Sequence, residues 1–290
     1  PIEIQFGKKM DSITSILDRS CQNRPISLPL PLDQVLRHYQ IKGVAWLWSL
    51  KQAACNPCLA DDMGLGKTLQ ILTLLIKEKN ETVSQEPSLL ICPTAVLENW
   101  KQEATKFTPT LSLYIHHGIQ RLHGAKFQKE AKKHNLIITS YALAYRDWKE
   151  LQAISWNNLI LDEAQNIKNP QSKQTKAIKS LSSGFRVALT GTPIENHVGD
   201  LWSLFDFLQP GWLGSANQFH HSFYKPIQTY GDQQQIKVLK QLTDPFILRR
   251  LKTDPDIVPD LPEKIESKEY CLLTKEQVTL YESCLAKSLE

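Results

Sequence analysis

Short apolar runs alternate along the chain with longer stretches in which apolar and polar positions are mixed. The apolar runs that have the length of a buried strand are Pro57–Ala60, Ser88–Cys92, Leu111–His116, Asn135–Thr139, Asn158–Leu161 and Arg186–Leu189. Nearly continuous apolar strands are typical of a parallel sheet that is covered on both faces. We therefore predict six parallel strands up to residue 189.

Between these runs, apolar residues recur at the three- and four-residue intervals of an amphipathic helix. The predicted helices cover Leu36–Trp48, Leu69–Lys77, Ala95–Phe107, Gln128–Lys133 and Gln171–Leu181. Strands that alternate with helices predict an α/β fold, with a mostly parallel sheet flanked by helices. Ligands of such folds bind beyond the carboxyl ends of the strands.

The alternation stops after Leu208, where Gln209-Pro210-Gly211 breaks the chain. Two helices follow without a strand between them, Asn217–Tyr224 and Gln233–Leu242. We interpret residues 210–248 as a helical protrusion that follows an α/β lobe at 31–209.

The two ends of the chain look like parts of neighbouring modules. At the beginning, a predicted helix Met10–Arg19 and the proline-punctuated segment Pro25–Pro31 suggest a fragment of an upstream module and a linker at 1–30. At the end, a strand Ile265–Leu272 and a helix from Lys275 are predicted within a return segment and connector at 249–290.

Composition is that of an ordinary globular protein, with 41% hydrophobic and 22% charged residues. A net charge of +4 is too small to indicate nucleic-acid binding by itself. No apolar run has the length of a membrane span, and Pro1–Phe6 does not resemble a signal peptide. We expect no membrane partner and an intracellular protein, located in the cytoplasm (nucleoid) of a prokaryote or in the nucleus of a eukaryote.

Six cysteines are scattered along the chain, and two of them form the lone C-x-x-C pair Cys55 and Cys58. A zinc site normally needs a second pair of Cys or His ligands at a suitable distance. We favour buried, reduced thiols over metal or redox chemistry.

The stretch from Leu59 to Thr68 has the composition of a phosphate-binding loop between a strand and a helix. Its glycines let backbone N–H groups approach phosphates, and the helix N-terminus adds a favourable dipole. Lys67 is then placed to reach the terminal phosphates and the Thr68 hydroxyl to ligate Mg²⁺. The alternative is a chance Gly-Lys-Thr turn. We predict nucleotide binding by Asp61, Asp62, Met63, Gly64, Leu65, Gly66, Lys67 and Thr68.

Two carboxylates end the apolar run Asn158–Leu161. An acidic residue at such a strand end holds Mg²⁺ in nucleotide-hydrolysing enzymes, and a second one orients or deprotonates the attacking water. We assign Asp162 to the metal and Glu163 to the base, so that Lys67, Asp162 and Glu163 form the predicted catalytic set. The alternative is an exposed acidic turn.

The order of these motifs resembles the first RecA-like lobe of a superfamily-two helicase, and specifically of the Swi/Snf-type DNA translocases. Asp61–Thr68 is similar to the DEMGLGKT motif of that family, in which an acidic residue at the first position is usual. Asp162–Gln165 resembles the family's DEAH motif, with an amide in place of the imidazole. Gln165 keeps hydrogen-bonding capacity, and we expect ATP–DNA coupling to survive the change.

Further motifs follow in the family's order. Leu36–Gln40 resembles the adenine-recognition segment, which implies that Arg37 and Gln40 bind ATP; the alternative for Gln40 is a solvated helix residue. Leu189–Asn196 resembles the motif that couples the nucleotide site to DNA, which implies coupling roles for Thr190, Gly191 and Thr192 together with Gln165.

The resemblance also implies contacts with the DNA backbone, by Asn99 and Trp100 after the second strand and by Thr139 and Tyr141 at a later one. Core packing remains an equal alternative for Trp100 and Tyr141. Phe246–Asp254, followed by Leu261–Lys264, is similar to the family's segment after the protrusion. By composition alone, its Arg249-Arg250 pair is an ordinary basic surface pair.

The resemblance therefore implies the N-terminal ATPase lobe of an ATP-dependent double-stranded DNA translocase, with ATP and Mg²⁺ as cofactors. Expected partners are double-stranded DNA, a second RecA-like lobe of the same protein that completes the ATP site, and a DNA-bound protein complex. Two alternatives are a strand-separating helicase and a nucleotide-dependent scaffold that binds DNA without hydrolysis.

Overall fold

The computed structural model describes residues 27–28, 32–82, 86–191, 198–254, 257, 267 and 269–289. The chain divides into two compact units, Pro1–Ile257 and Val258–Glu290. The predicted helix Met10–Arg19 and the motif residues Thr192 and Leu261–Lys264 lie outside the described residues.

A parallel sheet lies at the centre of the larger unit. Among the described residues it has seven strands, in the order β3-β4-β2-β5-β6-β1-β7. They are β1 (Cys58–Leu59), β2 (Ser88–Cys92), β3 (Leu113–His116), β4 (Leu136–Ser140), β5 (Trp156–Leu161), β6 (Ser183–Leu189) and β7 (Ile247–Leu248). Every neighbouring pair is parallel, which confirms the predicted α/β fold.

Helices cover both faces of this sheet. The α-helices of the larger unit are α1 (Leu32–Val35), α2 (His38–Gln52), α3 (Lys67–Glu81), α4 (Leu97–Phe107), α5 (Gly124–Ala131), α6 (Tyr141–Arg146), α7 (Trp148–Gln152), α8 (Lys173–Lys179), α9 (Val198–Leu208), α10 (Ala216–Phe219), α11 (Lys225–Tyr230) and α12 (Gln233–Thr243). The smaller unit contains α13 (Lys275–Leu289). No described helix combines the length and the apolar character needed to cross a membrane.

The strands are apolar throughout because successive side chains enter two different cores. Leu90 of β2 packs with residues of α2, α3 and α4 on one face. Its neighbours Leu89 and Ile91 pack with residues of α5, α6, α8 and α9 on the other. Both faces are therefore dry, as the near-continuous apolar runs predict.

The segment that follows Leu208 is mostly helical, as predicted, and its apolar residues share a core with α9. Phe246 packs edge-on against Phe205 and Trp212, with ring centroids 6.2 and 5.4 Å apart. The last two residues of the predicted protrusion 210–248 belong to the sheet, however, because they form β7, which pairs with β1. The domain boundaries themselves stay predictions.

Some elements differ from those predicted. The sequence did not predict helices α1, α6, α7, α9 and α11 or strand β7. The predicted strand Ile265–Leu272 is wrong for residues 267 and 269–272, which have no regular structure. Tyr270 and Leu272 are 89% and 98% exposed, so this stretch has no apolar layer in which a strand would be stabilised.

Candidate nucleotide-binding site

The loop from Ala60 to Gly66 connects the carboxyl end of β1 to the first residue of α3. Gly64 and Gly66 have φ angles of +85° and +75°, in the left-handed region that favours glycine. The second glycine immediately precedes Lys67, so the free N–H groups of the first helical turn face the loop. The structure thus contains the predicted arrangement of strand, glycine loop and helix.

Lys67 follows this loop and its side chain binds back to it. Its ammonium donates to the backbone oxygens of Asp61 at 2.6 Å and of Asp62 at 3.5 Å. Thr68 follows it in the first turn of α3 and is half-buried. The ammonium and the hydroxyl therefore stand at the helix N-terminus, where an anionic ligand is favoured.

Helix α2 holds the loop from behind through Tyr39 and Gln40. The hydroxyl of Tyr39 and the Nε2 of Gln40 donate to the carbonyl of Leu65, at 3.0 and 3.1 Å. The Oε1 of Gln40 accepts from the backbone N–H of Arg37 at 2.9 Å. Gln40 is buried rather than solvated, which excludes the alternative considered for it. Base contact by Gln40 and by the exposed Arg37 stays a prediction.

Besides the positive φ at position 66, the side chain of Gln40 also restricts that position to glycine. A Cβ on Gly66 would lie 2.3 Å from the Nε2 of Gln40. Any larger residue would push that amide away from the Leu65 carbonyl that it binds. The close contact between the loop and α2 therefore depends on glycine at position 66.

Asp61 binds a residue that the sequence does not mark as part of the site. Its carboxylate is fully buried and accepts from the Nε of Arg250 at 2.8 Å, from the Nη2 of the same guanidinium and from the Nε2 of Gln70 at 3.2 Å. The guanidinium lies over the ring of Tyr39 and donates to the Tyr39 carbonyl. The side chain of Asp61 therefore ties the loop to Arg250 and Gln70, and nucleotide binding by Asp61 stays a prediction.

The segment after β7 continues beside the loop. The backbone N–H of Ala60 donates to the carbonyl of Leu248 at 2.7 Å, and that of Asp62 to the carbonyl of Arg250 at 3.1 Å. Composition alone predicts that Arg249 and Arg250 are both surface residues. Only Arg249 is exposed. The side chain of Arg250 is directed into the core, where it finds Asp61.

Asp162 follows β5 and is held by Trp100 of α4. Its Oδ2 accepts from the indole N–H of Trp100 at 2.8 Å, and its Oδ1 accepts from the backbone N–H of Glu163 at 3.0 Å. Burial raises the pKa of Asp162, an effect that the nearby Lys67 ammonium opposes. The predicted catalytic residues Lys67 and Asp162 are therefore close enough to interact electrostatically.

Glu163 is joined to the end of β6 through Gln165. Glu163 has a φ of +50°, unusual for a residue with a side chain, and its Oε2 accepts from the Nε2 of Gln165 at 2.9 Å. The Oε1 of Gln165 accepts from the hydroxyl of Thr190 at 3.0 Å. The structure thus brings together Gln165 and Thr190, two of the residues predicted to couple ATP to DNA.

Gly191 lies next to the phosphate-binding loop. A Cβ on Gly191 would be 3.5 Å from the Cγ of Met63, whose side chain is 65% exposed. The loop after β1 and the residues after β6 meet because the two strands are neighbours in the sheet. Thr192 lies outside the described residues.

Three of the four residues predicted to contact DNA have interior side chains. Trp100 and Tyr141 are 2% and 5% exposed, and the Tyr141 hydroxyl donates to the backbone oxygen of Asp162 at 2.8 Å. Thr139 is fully buried and donates to the His116 carbonyl. Core packing is thus correct for Trp100 and Tyr141, and their placement gives DNA contact no support. Asn99 is exposed.

The oxygen ligands that Mg²⁺ prefers are present at this site. Thr68 offers a hydroxyl and Asp162 a carboxylate, each of whose oxygens accepts one protein hydrogen bond and retains a further lone pair. The donor set therefore fits Mg²⁺. Burial raises the pKa of the Cys58 thiol to about 12, as the interpretation of buried, reduced thiols expects for this residue.

Comparison with known proteins agrees with the motifs. The family model of the SNF2-related domain matches residues 39–290. The chain is 43% identical over its whole length to YwqA of Bacillus subtilis, whose assigned name is that of an ATP-dependent helicase/translocase, and 38% identical over 90% of its length to the human TATA-binding protein-associated factor 172. It covers 31% and 15% of these two relatives.

Among solved structures, the SWI2/SNF2 ATPase core of Sulfolobus solfataricus in complex with double-stranded DNA is similar, with a TM-score of 0.72 and 44% identity. The match covers 91% of this chain and 54% of the archaeal one. The chain thus spans only part of the length of its relatives. With the glycine loop, the Asp-Glu-Ala-Gln motif and the RecA-like sheet in place, we conclude that this chain belongs to the SNF2-related family of Swi/Snf-type ATPases.

Proposed function

We propose that this chain is the N-terminal ATPase lobe of an ATP-dependent double-stranded DNA translocase. The observation that carries the proposal is the chain of hydrogen bonds from Glu163 through Gln165 to Thr190. It links the carboxylate that activates water to the end of the neighbouring strand β6. A site that only stored a nucleotide would not need this link.

In this proposal the loop binds the triphosphate of ATP as its Mg²⁺ complex. The backbone N–H groups of the loop and the first turn of α3 donate to phosphate oxygens, and Lys67 exchanges its carbonyl partners for them. Thr68 and Asp162 hold Mg²⁺, which would neutralise negative charge on the phosphate oxygens. Trp100 fixes the orientation of Asp162 by donating to its Oδ2.

Glu163 is the general base of the hydrolysis. It accepts a proton from the attacking water, and the amide of Gln165 keeps its carboxylate in place. Because Gln165 also accepts from Thr190, a shift of the residues after β6 changes the position of the base. This is how we propose that DNA bound near the ends of the strands controls turnover.

Two partners complete the proposal. The Bacillus relative extends beyond the length matched here, and we propose that a second RecA-like lobe of the same protein supplies arginines that face the triphosphate from across the cleft. The archaeal relative was solved with double-stranded DNA, and the human one is named as a factor associated with the TATA-binding protein. We propose that the protein moves along double-stranded DNA, which it contacts mainly through the phosphates, and that it acts on a protein complex bound to that DNA.

The test is ATP hydrolysis by the full-length protein with and without double-stranded DNA. We expect stimulation by DNA that declines with added salt, and its loss in Lys67→Ala and Glu163→Gln. Glu163→Gln should still bind ATP, since its change affects the base alone. Hydrolysis that is unaffected by either substitution would contradict the proposal, as would the absence of ATP binding.

Two further measurements separate the alternatives. A translocase displaces the third strand of a triplex but does not separate a duplex, whereas a strand-separating helicase does both. A scaffold binds DNA in an ATP-dependent manner without hydrolysis. The 290-residue chain alone should bind ATP weakly and show little DNA-stimulated turnover, so turnover equal to that of a two-lobed form would contradict the need for a second lobe.

A further inference from the structure

A second lysine, Lys252, stands beside the phosphate-binding loop, next to Gly64. A Cβ built on Gly64 would lie 2.8 Å from the Nζ of Lys252 and 3.2 Å from its Cε. The ammonium of Lys252 therefore occupies the space directly above a glycine of the loop. We propose that Lys252 binds the terminal phosphate of the bound nucleotide, an inference that rests on the proposed ATP site.

The backbone position of Lys252 is fixed by hydrogen bonds that Leu248, Arg250 and Lys252 itself make with the loop. The Leu248 and Arg250 carbonyls accept from the N–H groups of Ala60 and Asp62, at 2.7 and 3.1 Å. The N–H of Lys252 then donates to the Oδ2 of Asp62 at 3.0 Å. Three successive hydrogen bonds thus hold this segment against the loop, and only the Lys252 side chain is left to move.

The buried ion pair at Arg250 strengthens this attachment. Its guanidinium holds Asp61, which lies in the loop one residue before Asp62. Lys252 comes two residues after Arg250, so it cannot leave the loop without disturbing a pair that lies in the protein interior. The fold therefore holds the backbone of Lys252 beside the loop, and its exposed side chain is free to turn toward a ligand there.

The charge of Lys252 is available to a ligand. Within the described ranges, no carboxylate lies at ion-pair distance from its ammonium, and Asp62 binds its backbone N–H instead. The ammonium of Lys67 binds a backbone oxygen of the loop at Asp61, and that of Lys252 lies next to the exposed Gly64. Two ammonium groups without acidic partners favour the most highly charged end of the ligand, which is the terminal phosphate of a triphosphate.

The test compares nucleotide binding by wild type, Lys252→Ala and Lys252→Arg, using ATP and ADP with Mg²⁺ in isothermal titration calorimetry. Losing a charge-assisted contact should weaken ATP binding about tenfold in Lys252→Ala and ADP binding by less than about threefold. Lys252→Arg keeps the charge and should stay within about twofold of wild type. Lys129→Ala, an exposed lysine of α5 beside the opposite edge of the sheet, controls for net charge and should bind as wild type.

The outcomes separate this inference from the function on which it rests. If wild type binds no ATP, or if Lys67→Ala binds as well as wild type, the proposed site itself is wrong. If Lys67→Ala loses binding but Lys252→Ala does not, only the role of Lys252 is overturned. Equal losses for ATP and ADP would overturn its assignment to the terminal phosphate. Thermal unfolding of each variant, which should match wild type, distinguishes loss of contact from loss of fold.

Discussion

The guanidinium of Arg250 binds the carboxylate of Asp61 in the interior of the protein, although 189 positions separate the two residues. The Nε–Oδ1 distance is 2.8 Å, and the two side chains are 9% and 0% exposed. Gln70 donates to the same carboxylate and accepts from the same guanidinium, so no charge in this group lacks a partner. The pair ties the segment after the helical protrusion to the phosphate-binding loop.

Removing one member of this pair should be more harmful than removing both. Arg250→Met leaves the Asp61 carboxylate buried without its cation, which we expect to lower the free energy of unfolding by about 3–5 kcal/mol. Urea unfolding measures this. The double variant Arg250→Met/Asp61→Leu should recover part of the loss, and additive losses would show that the two side chains do not act as a pair.

Gly43 depends on the same group of residues. A Cβ on Gly43 would lie 2.0 Å from the Oε1 of Gln70 and 2.8 Å from the Nη2 of Arg250. Gly43→Ala should therefore displace both side chains and destabilise the protein, although alanine favours a helix more than glycine does. The measurement is again urea unfolding, with Gly199→Ala as control, since a Cβ there meets Tyr224 only at an ordinary 3.7 Å. Equal stability of the two variants would contradict this account.

Trp100→Phe tests the orientation of Asp162. Phenylalanine keeps an aromatic ring in the core but removes the N–H that donates to the Oδ2 of Asp162. We expect ATP turnover by the full-length protein to fall about tenfold, with a higher Mg²⁺ concentration needed for half-maximal rate. Trp156→Phe is the matched control, because its indole donates to the Leu151 carbonyl, away from the site. An unchanged Mg²⁺ dependence in Trp100→Phe would contradict a positioning role.

The hydrogen bond between Gln165 and Thr190 should affect how strongly DNA stimulates ATP hydrolysis. Thr190→Val removes the hydroxyl that donates to Gln165 with little change in size. We expect basal ATP hydrolysis to change little and DNA stimulation to fall severalfold. In a double-mutant cycle with Gln165→Ala, the two losses should not add. Additive losses would mean that the hydrogen bond does not carry the coupling.

A buried histidine at the edge of the sheet should make stability depend on pH. The Nε2 of His116 lies 3.0 Å from Asp147, which also binds Arg121. Burial lowers the pKa of His116 below its ordinary 6.5, against the opposing effect of Asp147. The unfolded chain then binds the proton more readily, so stability is full above pH 6.5 and declines as the pH falls below it.

Urea unfolding at pH 7.5 and 5.5 measures this decline. In His116→Phe the decline should be smaller, because the titrating group is gone, although the stability at pH 7.5 should also be lower. His123→Gln, which replaces a half-exposed histidine nearby, should leave the decline unchanged. A decline of the same size in His116→Phe would assign it to other groups.

The glycine loop, its flanking strand and helix, and the Asp-Glu pair follow from the sequence because each is a run of neighbouring residues. The strand Ser88–Cys92 agrees with its prediction at both ends, since the four apolar residues that follow Ser88 require burial on both faces. The strand predicted at Ile265–Leu272 fails for the opposite reason. Its described residues, 267 and 269–272, pair with no strand, and Tyr270 and Leu272 are exposed, so this segment has no buried face that would stabilise a strand.

The contacts that assemble the site were decided only by the tertiary structure. Trp100 reaches Asp162 across 62 positions, and Arg250 reaches Asp61 across 189. The sequence determined that a phosphate-binding loop and an acidic strand end exist, because local patterns of glycine, charge and apolar residues are enough for that. It did not determine which tryptophan donates to the carboxylate at the strand end or which arginine pairs with the loop. A buried donor or charge must find a partner, but which partner it meets depends on how distant segments pack.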